Sequence, residues 1–523
     1  MNNIMSMKFA TTFLLVLFIL ILLLSSISWS NTIYVDDSNA GGPWDGTLEH
    51  PYQHIQEGIV HSGWDDTVYV FNGIYYENPV VNKAIVLMGE NRDSTIVDGD
   101  TIGNVITVSA AGVTIRGFKV QHSGSYSAGI NISHPSINNL ISGNIIVFNA
   151  SENYGGIVLS SSSNNIITDN IISNNYSRGI YIKGYSSNNS VYGNNISNNS
   201  YSGIRLTIHP TNNAIHENTI TGNSFGVALD AQADHNSIFD NIISDNTEAG
   251  VSVDEYANNN NIFDNTVSNN NRGVIVWFAR YNTISGNMIL NNTSSGIYIE
   301  DRCNVVSKNR IEFCETGIDL WGPYNNVFGN TIKYCRYGLF VDHGDYNVIK
   351  SNGINHNETG IFLFSAVSDT IIGNTIADNT SYGVYSRSQS NVFFHNSFIN
   401  NLPNAWDVGS TDIWDNGYPS GGNYWSDYTG VDADSDGIGD TPYNIPGGNR
   451  QDRYPLLYLR GDVNRNLIRD IEDVIYLLNY IYKNGPAPNP PMAGDVNWDE
   501  VIDILDVYYL INFLFTSGPS PSF

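Results

Sequence analysis

The sequence predicts a mainly β protein, a solenoid of stacked coils with three short parallel strands each, followed by a small α-helical domain. A pattern of about 22 residues recurs through the middle of the 523-residue chain, and such a period is typical of a solenoid. Each unit holds three short runs of alternating apolar residues, which is the period of a β-strand. Two copies of an acidic motif, 33 residues apart, close the chain and predict the helical domain.

Charge and cysteine content exclude several classes of function. The chain has 51 acidic residues against 23 Lys and Arg, a formal net charge of −28. This balance argues against nucleic acid and against an anionic membrane as partners, because both require clustered cations. It is typical of a soluble extracellular protein or of one that binds cations. The three cysteines, Cys303, Cys314 and Cys335, are too few for a disulfide scaffold and lack zinc-site spacing.

The N-terminus reads as a secretory signal. Lys8 precedes the apolar run Phe13 to Leu24, and Ser28 and Ser30 give a small-x-small cleavage site. We therefore predict a signal peptide over residues 1–30 and a secreted or cell-surface protein with no membrane segment in the mature form. An uncleaved N-terminal anchor is the alternative, although the run of about 12 residues is short for a spanning helix.

The repeat is marked by asparagine. The unit reads N-x-I-x-x-N-x-I-x-x-N, a turn and then G-I-x-L, and its central Asn recurs in steps of 21 to 26 residues. The markers are Asn144, Asn170, Asn194, Asn218, Asn241, Asn265, Asn287, Asn309, Asn330, Asn352, Asn374 and Asn396. Coils stack about 4.8 Å apart, so these side chains should form hydrogen-bonded ladders. Matches to glycosylation acceptors in these columns should therefore be buried.

Three residues interrupt the asparagine columns. Asp369 takes the place of the Asn that stands five residues before each marker. Cys314 and Cys335 take the place of the Asn five residues after it, in adjacent coils, and should stack. Coil spacing would permit a disulfide, but we favour a pair of small buried thiols.

One face of the solenoid gathers acids and aromatics. In G-I-x-L the second and fourth residues after Gly point outward. The candidate sugar-binding residues in these two columns are Asp230, Asp254, Trp277, Tyr298, Trp321 and Phe340. An exposed strip of this kind usually binds a partner, and sugar rings stack on aromatic side chains. The alternative is that a loop or the C-terminal segment covers the strip.

Three acids on this face are candidate catalytic residues. Asp319 and Asp342 are diagonal neighbours, on the order of 8 Å apart from strand spacing and rise. Glu300 lies two coils before Asp342. Glycoside hydrolysis needs two carboxylates, roughly 6.5–9.5 Å apart for inversion of configuration. The pattern thus favours a hydrolase or a lyase without establishing either. We assign His343 to the turn that follows Asp342, as a bystander or a contact at the rim of the site.

These repeats resemble the NosD or CASH (carbohydrate-binding and sugar-hydrolase) repeat family, from Ile33 to Leu457. The resemblance implies a right-handed parallel β-helix with the pectin-lyase fold, and it implies that "PYQHIQEGI" is a helix capping the first coil. The pattern is specific for fold and weakly specific for function. The chain lacks the Gly-His-Gly turn of polygalacturonases. Its scattered His and scarce Met residues do not support the copper handling that the NosD name suggests.

Two C-terminal stretches have the composition of calcium loops. The closing segment carries Asp432, Asp434, Asp436 and Asp440 around a Gly turn, which suits a hard cation, with a metal-free acidic turn as the alternative. The last motif resembles the duplicated calcium loop and helix of a type I dockerin. The matching positions are Asp462, Asn464, Asn466, Ile468, Asp470 and Asp473, then Asp495, Asn497, Asp499, Val501, Asp503 and Asp506. Leu467 and Glu500 replace the usual Gly.

The dockerin resemblance implies Ca²⁺ as cofactor and a cohesin domain as partner. We divide the chain into a signal peptide (1–30), an N-terminal cap with the first coils (31–125), repeats (126–405), a closing segment (406–458) and a dockerin-like domain (459–523). The leading hypothesis is a polysaccharide-binding or polysaccharide-degrading protein attached to a cohesin-bearing, cellulosome-like scaffold. The alternatives are a non-catalytic surface or spacer protein, a NosD-like periplasmic accessory protein, and a self-contained calcium-stabilised domain or cell-wall tether at the C-terminus.

Overall fold

The computed structural model describes residues 30–149, 154–409, 411–434, 436–466, 469–489, 491–497, 499, 501–515 and 521. The predicted signal peptide lies outside these residues apart from Ser30. The described chain folds into a parallel β-solenoid of about 15 turns, so the mainly β prediction is confirmed. Each turn supplies one strand to each of three parallel sheets of 16, 16 and 15 strands. No helix in the described ranges has both the length and the apolarity to cross a bilayer.

The strands follow one another up the solenoid in chain order. The first sheet comprises Thr32–Val35, Thr67–Val70, Val86–Gly89, Thr114–Arg116, Leu140–Ser142, Ile166–Thr168, Ser190–Tyr192, Ala214–His216, Ser237–Phe239, Asn261–Phe263, Thr283–Ser285, Val305–Ser307, Asn326–Phe328, Val348–Lys350, Thr370–Ile372 and Val392–Phe394. The second sheet comprises Gly73–Tyr76, Thr95–Asp98, Lys119–Gln121, Ile145–Val147, Ile171–Ser173, Asn195–Ser197, Thr219–Thr221, Ile242–Ser244, Thr266–Ser268, Met288–Leu290, Arg310–Glu312, Thr331–Lys333, Gly353–Asn355, Thr375–Ala377, Ser397–Ile399 and Tyr424–Trp425.

The third sheet holds the longest strands and carries the predicted face. It comprises Val80–Val81, Ile106–Val108, Ala128–Ser133, Gly155–Ser160, Arg178–Lys183, Ser202–Thr207, Phe225–Leu229, Ala249–Val253, Arg272–Val276, Ser295–Ile299, Thr316–Leu320, Tyr337–Asp342, Thr359–Val367, Tyr382–Gln389 and Ala405–Asp407. A separate antiparallel pair joins Tyr443–Ile445 to Arg450–Asp452.

Inward-facing aliphatic columns form the core. Ile297, Ile318, Leu339 and Ile361 pair in register from coil to coil, and all four are fully buried. Fully burying one such side chain contributes roughly 1.5–3 kcal/mol. An aliphatic residue recurs at the same position of each of these coils. A slip of one residue would turn the column to solvent, so the pairing register is kept from coil to coil.

Asparagine ladders run through the turns, as predicted. The Asn218 side-chain Nδ2 donates to Asn241 Oδ1 at 3.0 Å and to the Val191 carbonyl of the preceding coil at 2.9 Å. The Asn218 backbone N–H donates to the same Asn241 Oδ1 at 3.1 Å. Each amide therefore satisfies groups in two neighbouring coils, which turn backbone alone would leave buried without partners. The marker residues are at most 2% exposed.

Both ends of the core are covered. Helix α1 (Ile55–His61) buries Ile55 and Ile59 over the first coil, in agreement with the predicted capping helix. At the other end, the Trp414 ring stacks on Phe393 with 4.0 Å between centroids, and Trp425 stacks on Phe398 at 4.3 Å. These covers shield apolar columns that a terminal coil would otherwise expose.

Two further helices form the C-terminal domain. Helix α2 (Ile471–Lys483) and helix α3 (Ile504–Phe515) pack together, with a single 3₁₀ turn at Pro491–Ala493 before the second loop. Their small core consists of Val463, Val474, Leu477, Val496, Val507 and Leu510. Arg469 joins this domain to the second sheet, where its Nη1 donates to Thr375 Oγ1 at 2.9 Å.

Candidate functional site

The outward columns of the third sheet are built as the repeat predicts. Tyr298 pairs with Asp319, which pairs with Phe340, which pairs with Phe362 in successive coils. Asp342 pairs with Phe364 in the adjacent column. We call this surface the third-sheet face. Trp277 and Trp321 are 39% and 40% exposed, so the described residues leave this part of the face open to solvent.

Asp319 is the most perturbed acid of the third-sheet face. Its Oδ1 accepts a hydrogen bond from Trp321 Nε1 at 2.9 Å, and its Oδ2 accepts one from Ser295 Oγ at 3.2 Å. Burial raises the pKa of Asp319 to about 6, the negative charge of Asp342 adds to the rise, and the two donors oppose it. A carboxylic acid with this pKa can donate a proton near neutral pH.

Asp342 is paired with the residue that we assigned to the following turn. His343 Nδ1 and Asp342 Oδ1 form a short hydrogen bond, and the His343 ring stacks against Trp321 with 6.5 Å between centroids. Asp342 itself is only 8% exposed. His343 therefore orients the Asp342 carboxylate and belongs to the site.

Glu300 lies on the coil before that of Asp319, between Trp277 and Trp321 in its column. Its Oε2 accepts a hydrogen bond from the Tyr298 hydroxyl at 3.3 Å. Burial raises the pKa of Tyr298, and the charges of Glu300 and Asp319 raise it further. The Tyr298 ring lies 6.3 Å from Trp277 and 6.5 Å from Trp321. Tyr298 thus bridges the two acids and the two tryptophans.

Aromatic side chains continue beyond Asp342. Phe340 contacts Phe362 at 5.2 Å between centroids, and Phe362 contacts Tyr385 at the same distance. A depression of about 280 Å³ opens here, lined by Tyr337, Glu358, Thr359, Phe362, Ser381, Tyr382 and Tyr385. Open, partly apolar surface of this kind suits a ring that stacks rather than one that is enclosed.

The remaining two predicted sugar-binding acids lie nearer the N-terminus. Arg205 Nη2 forms an ion pair with Asp230 Oδ2 at 2.7 Å, so the Asp230 carboxylate already has a cationic partner. Burial raises the pKa of Asp254, and the Asp230 charge adds to the rise. The charge of Asp230 thus acts on Asp254, as their shared column predicts, but one carboxylate oxygen of Asp230 is already paired with Arg205.

Sequence reasoning missed a third outward column. It consists of the residue before Gly in each G-I-x-L unit, for example Arg178, Arg272, Ser295, Tyr337 and Tyr382. A Cβ on Gly203 would lie 2.6 Å from Ile220 Cγ2, so this Gly faces inward beside the inward Ile204. Two inward residues in succession shift the alternation and turn the preceding residue outward. The invariant Gly within the repeat is the signal that marks this column.

The two C-terminal loops predicted to bind calcium each make the same pattern of hydrogen bonds. Asp473 Oδ1 accepts from the backbone N–H groups of Val463 and Asn464 at 2.7 and 3.1 Å. Asp506 Oδ1 accepts from the equivalent Val496 and Asn497 at 2.6 and 3.1 Å. Both acids are fully buried. Ile468 lies outside the described residues, so its predicted ligand position is not described.

The closing segment holds a compact acidic cluster. Asp432, Asp434 and Asp436 bring carboxylate oxygens within 4.8 Å of one another. Asp440 Oδ2 instead accepts from the Ala433 backbone N–H at 2.7 Å. Among the described residues this is the one group of three such ligands.

Comparisons with known proteins agree with this architecture. The family described as "Periplasmic copper-binding protein (NosD)" matches residues 211–326 and 316–430, and "Right handed beta helix region" matches residues 103–267. Among solved structures, the Dettilon tailspike protein is similar, with a TM-score of 0.40 and 15% identity, covering 73% of this chain and 68% of the tailspike chain.

Two curated relatives match a shorter stretch. A probable ABC transporter binding protein NosD of Pseudomonas aeruginosa is 31% identical over 135 residues, 22% of this chain and 31% of the relative. Its counterpart in Stutzerimonas stutzeri is 29% identical over 136 residues, 22% of this chain and 30% of the relative. The chain thus spans less than a third of the length of the curated relatives it matches. Residues 103–430 are thus similar to the NosD and right-handed β-helix families.

Proposed function

We propose that this protein binds and cleaves polysaccharide on the third-sheet face. The observation that carries the proposal is Asp319, an acid with a pKa of about 6 held between the exposed Trp321 and a second acid, Asp342, on the next coil. Aromatic rings supply stacking surface for sugars on both sides of these acids. A spacer without binding function has no need of this combination on its solvent-facing side.

The geometry supports glycoside hydrolysis with inversion. Diagonal positions on adjacent coils place Asp319 and Asp342 on the order of 8 Å apart, which leaves room for a water molecule. Asp319, protonated below pH of about 6, would donate its proton to the leaving glycosidic oxygen. Asp342, oriented by His343, would accept a proton from the attacking water. Trp321, through its indole N–H, holds Asp319 in place.

A test compares two conservative variants on a panel of polysaccharides. Asp319→Asn and Asp342→Asn should each lower kcat by about 100-fold or more, because general acid–base catalysis contributes 10²–10⁴-fold. Reducing-end release measures hydrolysis, and absorbance of unsaturated products measures lyase activity. The matched control is Asp264→Asn, since Asp264 lies in a turn away from the third-sheet face. Full activity of both variants would refute the assignment.

We further propose that the C-terminal domain is a calcium-dependent dockerin that attaches the protein to a cohesin-bearing scaffold. The donor set fits a hard cation, because both loops offer Asp and Asn oxygens at equivalent positions. Asp462, Asn464, Asn466 and Asp473 would hold one ion, and Asp495, Asn497, Asp499 and Asp506 the other, with Asp470 and Asp503 at the water-mediated position. Calcium would hold each loop against the helix that follows it.

The two helices offer a surface for such a partner. The exposed apolar residues of the domain include Ile471, Ile475, Tyr482, Val501, Leu505, Tyr508 and Phe515. Calcium titration of the full chain should raise the melting temperature of the domain, and Asp506→Asn should reduce that rise while Asp264→Asn does not. Cohesin binding that persists after chelation of calcium would refute this attachment.

Copper binding, which the NosD family description names, does not fit the donors of this chain. Copper favours thiolate, thioether and imidazole ligands. Within the described ranges, the cluster of three potential ligands is the all-carboxylate group of Asp432, Asp434 and Asp436, which suits calcium. Cys314 and Cys335 are buried in a core column. We assign no step to copper.

We propose an extracytoplasmic location. The predicted signal peptide supports it, and the matched family is described as periplasmic. Fractionation of cells should find the mature chain outside the cytoplasm, with an N-terminus near Asn31. Full-length protein in the cytoplasm would contradict this assignment.

A further inference from the structure

The third-sheet face carries a group of cations on the N-terminal side of Asp319. Arg178, Lys183, Arg205 and Arg272 all project from its strands, within a chain that has only 23 Lys and Arg and a net charge of −28. Overall composition therefore does not account for the group. We call Arg178 and Lys183, with the rings of Tyr154, Tyr181 and Tyr201, the basic subsite.

Among the described residues, the buried Arg178 forms no ion pair, although the charge of Asp230, which pairs with Arg205, also acts on it. The residue is 7% exposed, and its Cζ lies 4.4 Å from the Tyr181 ring centroid and 5.3 Å from that of Tyr201. Its Nε is buried without a hydrogen-bond partner, and its Nη1 has only a long contact of 3.5 Å with Ser177 Oγ. No carboxylate of the described residues lies within 4.0 Å of the guanidinium. Burying a charge is costly unless something pairs with it.

The neighbouring Arg205 differs from Arg178 in having an acidic partner, although its Nε is likewise buried without a hydrogen bond. It forms an ion pair with Asp230 at 2.7 Å. Burial, together with the nearby Arg205 charge, holds the pKa of Arg178 below its usual range. The structure thus places two guanidinium groups side by side and supplies an acidic partner to one of them.

Lys183 extends the positive surface along the same strand. Its Nζ lies 4.1 Å from the Tyr154 ring centroid and 5.5 Å from that of Tyr181, and the residue is partly exposed. Arg272, further along the face, lies 5.7 Å from the Tyr298 ring, and its Nε is likewise buried without a partner. Arg272 is therefore a further cation between the basic subsite and Asp319, separated from Arg205 by two coils that carry Asp230 and Asp254.

We propose that the basic subsite binds an oxyanion carried on a sugar ring, so that the polymer on the third-sheet face is an acidic polysaccharide. The inference rests on the proposed function and names its substrate class. The planar guanidinium pairs with two oxygens of a carboxylate or a sulfate at once. The tyrosine rings around it offer stacking surface to the same sugar. The shared chemistry is an anionic sugar, from a uronate or a sulfate ester.

The subsite lies far from the catalytic acids. Six coil-to-coil steps separate Tyr181 from Asp319 along one column. At about 4.8 Å a step this is about 29 Å, so several sugar units lie between them. The basic subsite therefore sets affinity and KM, while kcat depends on Asp319 and Asp342. This separation gives a readout that a structural role would not produce.

The test measures binding of the full chain to matched polymers by calorimetry. Polygalacturonate is compared with its methyl ester, and a sulfated galactan with its desulfated form. The charged member of one pair should bind about ten- to hundredfold more tightly, and added salt should weaken that binding. Arg178→Gln and Lys183→Met should each remove most of the preference and leave binding of the uncharged polymer unchanged. Arg116→Gln, in the first sheet, is the control.

Each outcome separates this inference from the proposed function. Equal binding of charged and uncharged polymers, with cleavage retained, overturns the basic subsite alone. Preference for one pair identifies the anion as carboxylate or sulfate. Binding of no polysaccharide overturns both proposals. Should Arg178→Gln unfold in thermal melts, the partly exposed Lys183→Met carries the test, and an unchanged preference in that variant refutes the subsite.

Discussion

Asp369 is an acid in a column of buried asparagines, and its replacement tests whether the ladder needs an amide at that position. Its Oδ1 accepts from the Asn347 backbone N–H at 2.7 Å, but its buried Oδ2 has no partner, and neither has Asn347 Nδ2. Burial raises the pKa of Asp369 from 3.8 to about 8. The folded protein therefore keeps this acid protonated at neutral pH.

The pKa shift gives the size of the effect. About 4 pH units at 1.36 kcal/mol each set a ceiling of about 6 kcal/mol on the destabilisation by Asp369. Below a pH of about 4 the acid is protonated in both states and contributes no pH dependence. Between about 4 and 8 only the unfolded state ionises, so stability falls as pH rises. Asp369→Asn removes this loss, and we expect a gain of about 2–4 kcal/mol at pH 9, because relaxation lowers the ceiling.

Thermal unfolding at pH 5 and pH 9 measures this gain, and hydrogen exchange of the coils around Asn391 localises it. The control is Asp412→Asn, an acid of the same column whose Oδ2 accepts from Ser386 Oγ at 2.6 Å. Asp412→Asn should change stability less than Asp369→Asn does, because the Asp412 carboxylate already has a hydrogen-bond donor. A melting-temperature difference between Asp369→Asn and the wild type that is the same at both pH values would refute the reasoning.

Three further predictions concern the ladders and the end cover. Asn265→Ala should destabilise the protein by about 3 kcal/mol, because Asn241 and the Ile238 carbonyl lose their buried partners. Replacing the exposed Asn195 by Ala should change stability by less than about 0.5 kcal/mol. Denaturant midpoints of unfolding measure both changes. Replacing Cys314 and Cys335 together by Asn should restore a continuous ladder and raise the melting temperature, and a lower value would contradict that. Trp414→Ala should expose the last coil and lower the melting temperature, accompanied by faster hydrogen exchange at Phe393; unchanged exchange would contradict the covering role.

The repeat predicts backbone positions better than side-chain partners. The period of the unit fixes which residues share a column, so the adjacency of Asp319 and Phe340 follows from the sequence alone. The pairing of Asp342 with His343 does not, because it depends on the turn that brings a sequence neighbour onto the face. The Arg205 and Asp230 ion pair likewise depends on which rotamer Arg205 adopts beside the Tyr201 ring.

The column that sequence reasoning missed has a comparable cause. Simple alternation would place Arg178 on the inward side of its strand. Gly179 also faces inward, since a Cβ there would approach the Gly203 carbonyl oxygen to 2.6 Å. Gly179 and Ile180 are therefore two inward residues in succession, and Arg178 faces outward. A rule of period two therefore holds after the Gly and fails before it. In repeats of this kind, the alternation of inward and outward residues should be shifted by one position before the Gly.

The arrangement separates support from recognition. Aliphatic columns and asparagine ladders fix every coil from within, so the outward residues of the third sheet can vary without disturbing the register. The C-terminal domain attaches elsewhere, through Arg469 on Thr375 of the second sheet, and so leaves the third-sheet face uncovered at that point. A scaffold partner bound to helices α2 and α3 would then hold the protein without competing for the third-sheet face. Because the C-terminal domain contacts the second sheet and the acids lie on the third, the proposed tethering and polysaccharide binding should be energetically independent.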